Sequence, residues 1–125
     1  MAKQKVNKVN NRLLEYLLSV KSPILDKRHN LVVYLDDNRA RSNQTRFEHI
    51  VRDNHRLKVC DLKRLFTLFT VEGKLKKDFL RKDTYNYYLT RNSKGNEFIK
   101  MSIQLDKNDK SKGKIKTIFI TRNVK

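Results

Sequence analysis

Residues 84–105 read TYNYYLTRNSKGNEFIKMSIQL. Two stretches rich in aromatic and β-branched residues, 84–91 and 97–105, flank the polar run Asn92–Asn96 with its Gly95. A period of two interrupted by a turn predicts a β-hairpin. In its second strand Ile99, Met101, Ile103 and Leu105 share one face, and Lys100, Ser102 and Gln104 share the other. In its first strand Tyr85 and Tyr87 point one way and Tyr88 the other, so at least one tyrosine is expected in the core. Downstream, the charged loop DKNDKSKGK (106–114) leads to IKTIFITR (115–122). This third strand turns Ile118 and Ile120 to the core and Thr117, Phe119 and Thr121 to the opposite face.

Upstream of the hairpin the period becomes helical. Val6, Val9, Leu13, Leu14, Leu17 and Leu18 predict an amphipathic helix over 4–20, stopped by Ser22-Pro23. LVVYL (31–35) predicts a buried strand, ended by Asp36-Asp37-Asn38. Ser42 is a candidate cap for a helix over 43–54 with Phe47, Ile50 and Val51 on one face. Asp61 is a candidate cap for a short helix to Phe69, striped by Leu62, Leu65, Phe66 and Phe69. Helices first and a strand meander after is an α+β pattern, with N-terminal helices packed on one face of an antiparallel β-sheet of about four strands. The 125 residues suit a single domain, with 1–22 as an N-terminal helical extension and 29–122 as the core.

The composition points to a polyanionic partner. There are 30 Lys and Arg against 13 Asp and Glu, a formal charge of +17. Such an excess costs stability by self-repulsion, and a phosphate backbone repays it through counterion release. The charge divides unevenly, with +6 in residues 1–62 (13 basic, 7 acidic) and +11 in residues 63–125 (17 basic, 6 acidic). Nucleic acid is therefore the expected partner, ahead of an anionic membrane or an acidic protein. No apolar run approaches the length of a membrane span, and the basic start has no signal-peptide cleavage pattern, so the expected location is cytoplasmic. The single Cys60 excludes an internal disulfide, and a buried structural thiol is its expected role.

Chemistry concentrates in RFEHIVRDNHRL (46–57), which holds His49 and His55 of only three histidines, together with Arg46, Arg52 and Arg56. Histidine titrates near neutrality and suits proton transfer, and arginine stabilises charge developing on phosphate. That set is sufficient to cleave RNA without a cofactor or metal, although two incidental histidines on a solvated helix face give the same residues. His49 and His55 are six apart, which is not the spacing of a helical zinc pair. The acidic residues form no paired cluster of the kind two-metal nucleases need, and the chain has no phosphate-binding glycine loop. Exposed tyrosines such as Tyr87 are candidates for base stacking as well as for core packing. A helix-turn-helix over 43–69 is an alternative, but its connection at 55–60 is long and lacks glycine.

The order of these pieces is specific. Arg46-Phe47-Glu48-His49-Ile50-Val51-Arg52 and His55 are followed by Asp61-Leu62, by Tyr87-Tyr88, by the strand Phe98–Leu105 and by the final strand Thr117–Arg122. Over about residues 29–122 the chain resembles the barnase/EndoU/colicin/RelE-like superfamily of metal-independent ribonucleases, especially its small phage and mobile-element branches. The resemblance implies helices on one sheet face, an RNA cleft on the other, toxin activity, and an antitoxin or immunity protein as partner. It implies catalytic roles for His49, His55, Arg52, Thr117 and Thr121. Arg46, Arg56, Lys100, Tyr87 and Arg122 are the expected RNA contacts. The chain departs from the branch pattern where Asp53-Asn54 separates Arg52 from His55, and where Ile118-Phe119 follows Thr117. The competing expectation is a non-enzymatic DNA- or RNA-binding protein, such as a phage or plasmid regulator.

Overall fold

The computed structural model describes residues 10–36, 39–41, 44–52 and 55–122. Along the chain these form α1 (Asn11–Ser19), β1 (Ile24–Asp26), β2 (Leu31–Tyr34), β3 (Arg39–Arg41), β4 (Gln44–Thr45), α2 (Arg46–Ile50), α3 (Val59–Leu68), β5 (Lys74–Lys77), β6 (Thr84–Thr90), β7 (Phe98–Leu105) and β8 (Lys112–Thr121). The α+β class holds, but the main sheet has six strands rather than about four, in the order β1-β2-β8-β7-β6-β5. It is also mixed: β2 pairs parallel to β8, and the other neighbours pair antiparallel. β3 and β4 form a separate two-stranded ladder.

The hairpin read from 84–105 forms the interior strands β6 and β7 of the sheet, and Gly95 takes φ +70 in its turn, a conformation glycine adopts without strain. The predicted alternation holds. Ile99, Met101, Ile103, Ile115, Ile118 and Ile120 are all buried on one face, with Tyr87 and Leu89 beside them from β6. Leu13 and Leu17 of α1 and Leu62, Leu65 and Phe69 from α3 and its end complete the same core. β5 (Lys-Leu-Lys-Lys) was not predicted, because only Leu75 is apolar; lysines are a common guard on an edge strand.

Several boundaries move. α1 begins at Asn11, where the Asn10 side chain accepts the Arg12 and Leu13 N–H groups; residues 4–9 of the expected helix lie outside the described residues. The Ser42 cap and Asp37, Asn38, Asp53 and Asn54 also lie outside them. α2 is one short turn and a half, so a helix-turn-helix over 43–69 is not formed. Its start is fixed by a capping box: Thr45 Oγ1 accepts the Glu48 N–H (3.2 Å), and Glu48 Oε1 accepts the Thr45 N–H (3.1 Å). Asp61 lies in the first turn of α3 rather than capping it, where its buried carboxylate accepts the Lys58 N–H (2.9 Å) and Arg91 Nε–H (3.0 Å). Cys60 is exposed, because α3 turns Leu62 and Leu65 inward and leaves position 60 outside. β8 begins at Lys112, inside the stretch expected to be loop.

The sheet is closed on its core face by Asp26. This carboxylate, 1 % exposed, accepts the Arg28 N–H (3.1 Å) and His29 N–H (3.3 Å), contacts His29 Nδ1 (2.8 Å) and receives the Tyr87 hydroxyl. Burial first, and then the Asp26 hydrogen bond, push the Tyr87 phenol far up, so it stays a donor. Next to it Arg28 donates to the carbonyls of Phe69, Val71 and Gly73. A Cβ at Gly73 would lie 2.9 Å from the Phe69 carbonyl oxygen, so this crossing needs glycine. Removing the Asp26 carboxylate leaves a buried hydroxyl without its acceptor. Asp26→Ala is expected to cost about 3–5 kcal/mol, against about 1–3 kcal/mol for Tyr87→Phe, read as lowered urea midpoints at unchanged m-value.

Candidate functional site

β2 pairs with β8 only from Lys112 to Lys114, so the stretch of β8 beyond has no strand on that side. α2 lies against it, and so does His55. Phe47, Ile50 and Val51 are buried, anchoring the segment in the core, and Arg46 Nη1 donates to the Lys116 carbonyl (2.9 Å). The His55 N–H donates to the Arg52 carbonyl (3.0 Å). Histidines six residues apart therefore meet: the rings of His49 and His55 are edge to face, with centroids 5.4 Å apart. A straight helix would place residues six apart on different sides; the early end of α2 brings them together.

His55 is 8 % exposed and both ring nitrogens are occupied. Nδ1 lies 2.8 Å from the Ile50 carbonyl, and Arg52 Nη2 lies 3.2 Å from Nε2. A guanidinium only donates, so Nε2 carries the lone pair and Nδ1 the proton. Burial first, and the Arg52 charge with it, hold the His55 pKa below its ordinary value, against the opposing pull of the Ile50 and Ile118 carbonyls. The ring is neutral at pH 7 and poised as an acceptor, with Arg52 lying over the accepting atom.

The other side of His55 meets Phe119, at 6.0 Å between ring centroids. Lys100 Nζ lies 5.3 Å from the Phe119 centroid and 5.7 Å from that of Tyr88, a cation held between two aromatic faces. The sheet face away from the helices thus runs from the histidine pair through Phe119 to Lys100. Beyond Lys100, Ser102 Oγ donates to Asn86 Oδ1 (2.6 Å) and Asn86 Nδ2 donates to Asp78 Oδ1 (3.0 Å).

The predicted site residues divide between places. Arg46, His49, Arg52 and His55 come together at the open edge of β8, and Lys100 and Thr117 lie on the adjoining face. Thr117 and Thr121 share that face on either side of Phe119, but four residues of strand separate their Cα atoms by about 13 Å, so one phosphate cannot meet both. Arg56 and Arg122 sit elsewhere, 3.7 and 3.9 Å from Glu97, which also binds Arg91 (3.2 Å). Tyr87 faces the core, fully buried on Asp26, and cannot stack a base. Sequence reasoning missed Phe119 as a wall of the site and Lys116 as an interruption of β8. Alternation placed Phe119 correctly, but nothing local indicated that His55 would lie against it.

Among the described residues, no three His, Cys, Asp or Glu side chains converge as a metal site requires, and no helix is long and apolar enough to cross a membrane. The depressed His55 pKa carries a stability signature. The folded state resists protonation more than the unfolded one, so the contribution of the neutral ring is complete above the unfolded value near 6.5 and is lost as pH falls through the lower folded value. His55→Gln is expected to flatten that slope: urea midpoints of the wild-type and variant proteins should differ more at pH 7.5 than at pH 5. No protein-family model, curated protein or solved structure matches the chain.

Proposed function

We propose that this protein is a metal-independent endoribonuclease, of the kind the barnase/EndoU/colicin/RelE-like resemblance implies, with RNA as substrate and an antitoxin or immunity protein as its natural restraint. The observation that carries the reading is the edge-to-face contact of His49 and His55 at 5.4 Å beside an arginine-rich turn. Neutral His55 is the base. Its Nε2 is covered by Arg52 in the free protein, and a phosphate that draws the guanidinium to itself uncovers the lone pair. His55 then takes the 2′-OH proton, the 2′-oxygen attacks phosphorus, and the bond to the 5′-oxygen breaks. His49, the less buried of the two rings, donates the proton to that leaving oxygen. Arg52 and Arg46 stabilise the charge on the phosphorane, Thr117 orients a phosphate oxygen, and Lys100 holds the neighbouring backbone. The products are a 2′,3′-cyclic phosphate and a 5′-hydroxyl.

A second reading has its own support. With both His55 nitrogens bonded within the protein, the ring also serves as a fixed support for Arg52, as a non-enzymatic RNA- or DNA-binding protein would use it. Incubation of the protein with total RNA in excess EDTA separates the two. The endoribonuclease is expected to cleave, leaving cyclic phosphate ends, and His49→Ala and His55→Ala should each slow cleavage by about 10²–10⁴-fold. Intact RNA bound in a salt-sensitive complex would replace the first reading by the second. In either case Lys100→Gln is expected to weaken RNA binding and lower the salt slope, log K against log[salt], by about 0.7, the value for one single-strand phosphate contact.

A further inference from the structure

The register of β7 against β8 slips once, between Ser102 and Ile103: Ser102 pairs with Thr117 and Ile103 with Ile115, leaving Lys116 as the extra residue of a bulge. A bulge re-aims a side chain, and here it breaks the alternation of β8 at a lysine. Lys116 is crowded by cations. Burial holds its pKa below the ordinary value, and the charges of Arg46 on one side and Lys114 on the other lower it further. None of these three makes an ion pair with a carboxylate among the described residues. Three adjacent cations without an ion-pair partner repel one another, and a bound anion relieves that repulsion.

The row leads away from the histidine pair into a cavity of about 570 Å³ at the β7–β8 hairpin and the end of β2. Tyr34, Gln104, Lys112 and Lys114 line it, together with the carboxylates of Asp36 and Asp106. The volume lies within the range of small-molecule sites. A half-buried tyrosine offers a ring face to a base, the lysines offer charge to phosphate, and Gln104 and Asp36 can pair with base edges or ribose hydroxyls. From Thr117 to Lys112 the strand covers about 16 Å, so the cavity lies a short stretch of single strand away from the histidines.

We infer that Lys116, Lys114 and this cavity form a remote substrate subsite, in which the lysines track the phosphates of single-stranded RNA and the cavity holds one of its nucleotides. The inference takes its ligand from the endoribonuclease reading but does not need the cleavage step. Fully 2′-O-methylated oligonucleotides of two and eight residues lack the attacking hydroxyl and report binding alone, by fluorescence anisotropy. The wild-type protein is expected to bind the octamer at least tenfold more tightly than the dimer. In Lys114→Gln/Lys116→Gln that ratio should fall to about threefold or less, and the octamer salt slope should drop by about 1.4, two single-strand phosphate contacts. Tyr34→Ala is expected to weaken octamer binding about five- to a hundredfold, the range for one lost base stack. A length ratio near one in the wild type, or one unchanged in the double-lysine variant, overturns the subsite. RNA left intact while the length ratio behaves as expected overturns the nuclease and retains the subsite. RNA cleaved while the variants keep the wild-type ratio does the reverse.

Discussion

The contact between the Asp26 carboxylate and the Tyr87 hydroxyl fixes the shape of this molecule. β1 and β6 are four strands apart in the sheet, about 19 Å if it were flat. Two side chains cannot span that distance, so the sheet curls until β1 and β6 meet over the shared core. Arg28, bonded to three carbonyls around the end of α3, seals the same seam from the adjacent position. A buried carboxylate without partners is far too costly to persist, and here backbone N–H groups, a histidine and a phenol all satisfy it. The polar seam is thus a condition of the fold, and the apolar faces of α1 and α3 fill the space it encloses.

The candidate site follows from how the strands end. β2 is four residues long and β8 is ten, so their parallel ladder stops early and most of one β8 edge is left for another element. An open edge has unpaired carbonyls and N–H groups, and α2 with its following turn supplies partners for some of them, Arg46 to the Lys116 carbonyl among them. The histidines approach one another because this segment is too short to continue as a helix. Its position at a sheet edge also puts His55 within reach of Phe119, and hence of the face that holds Lys100.

Strict alternation made β6, β7 and the apolar half of β8 legible, since one buried face fixes the orientation of every other side chain. The apolar stripes of α1 and α3 were equally plain. α2 was read too long. Thr45 and Glu48 already carry a capping-box signature that starts the helix at Arg46, whereas the apolar positions Phe47, Ile50 and Val51 fit any local helical turn. β1 has three residues and β5 a single apolar one, too little pattern for either to declare itself. The parallel pairing of β2 with β8 joins residues some eighty positions apart, and no local signal specifies it. For the site, the residue types in 46–57 were visible, and their convergence was not, because it depends on where α2 stops. Tyr87 was misassigned for a related reason: alternation showed that it opposed Tyr88, but only the distant Asp26 decided which of them would anchor the core.

The net charge of +17 has a different meaning once its partners are located. Arg56, Arg91 and Arg122 gather around Glu97, and Arg91 also binds Asp61, so that end of the molecule is a structural ion-pair network with part of its charge compensated. Lys110 and Lys112 lie beside Asp83 and Asp109. Arg46, Lys116 and Lys114 make no ion pair among the described residues, although Asp36 and Asp106 line the same cavity as Lys114, and burial of Lys116 makes the repulsion among the cations more expensive than it would be in water. A polyanion bound along this row would relieve that repulsion, as the Glu97 carboxylate does for the arginines around it.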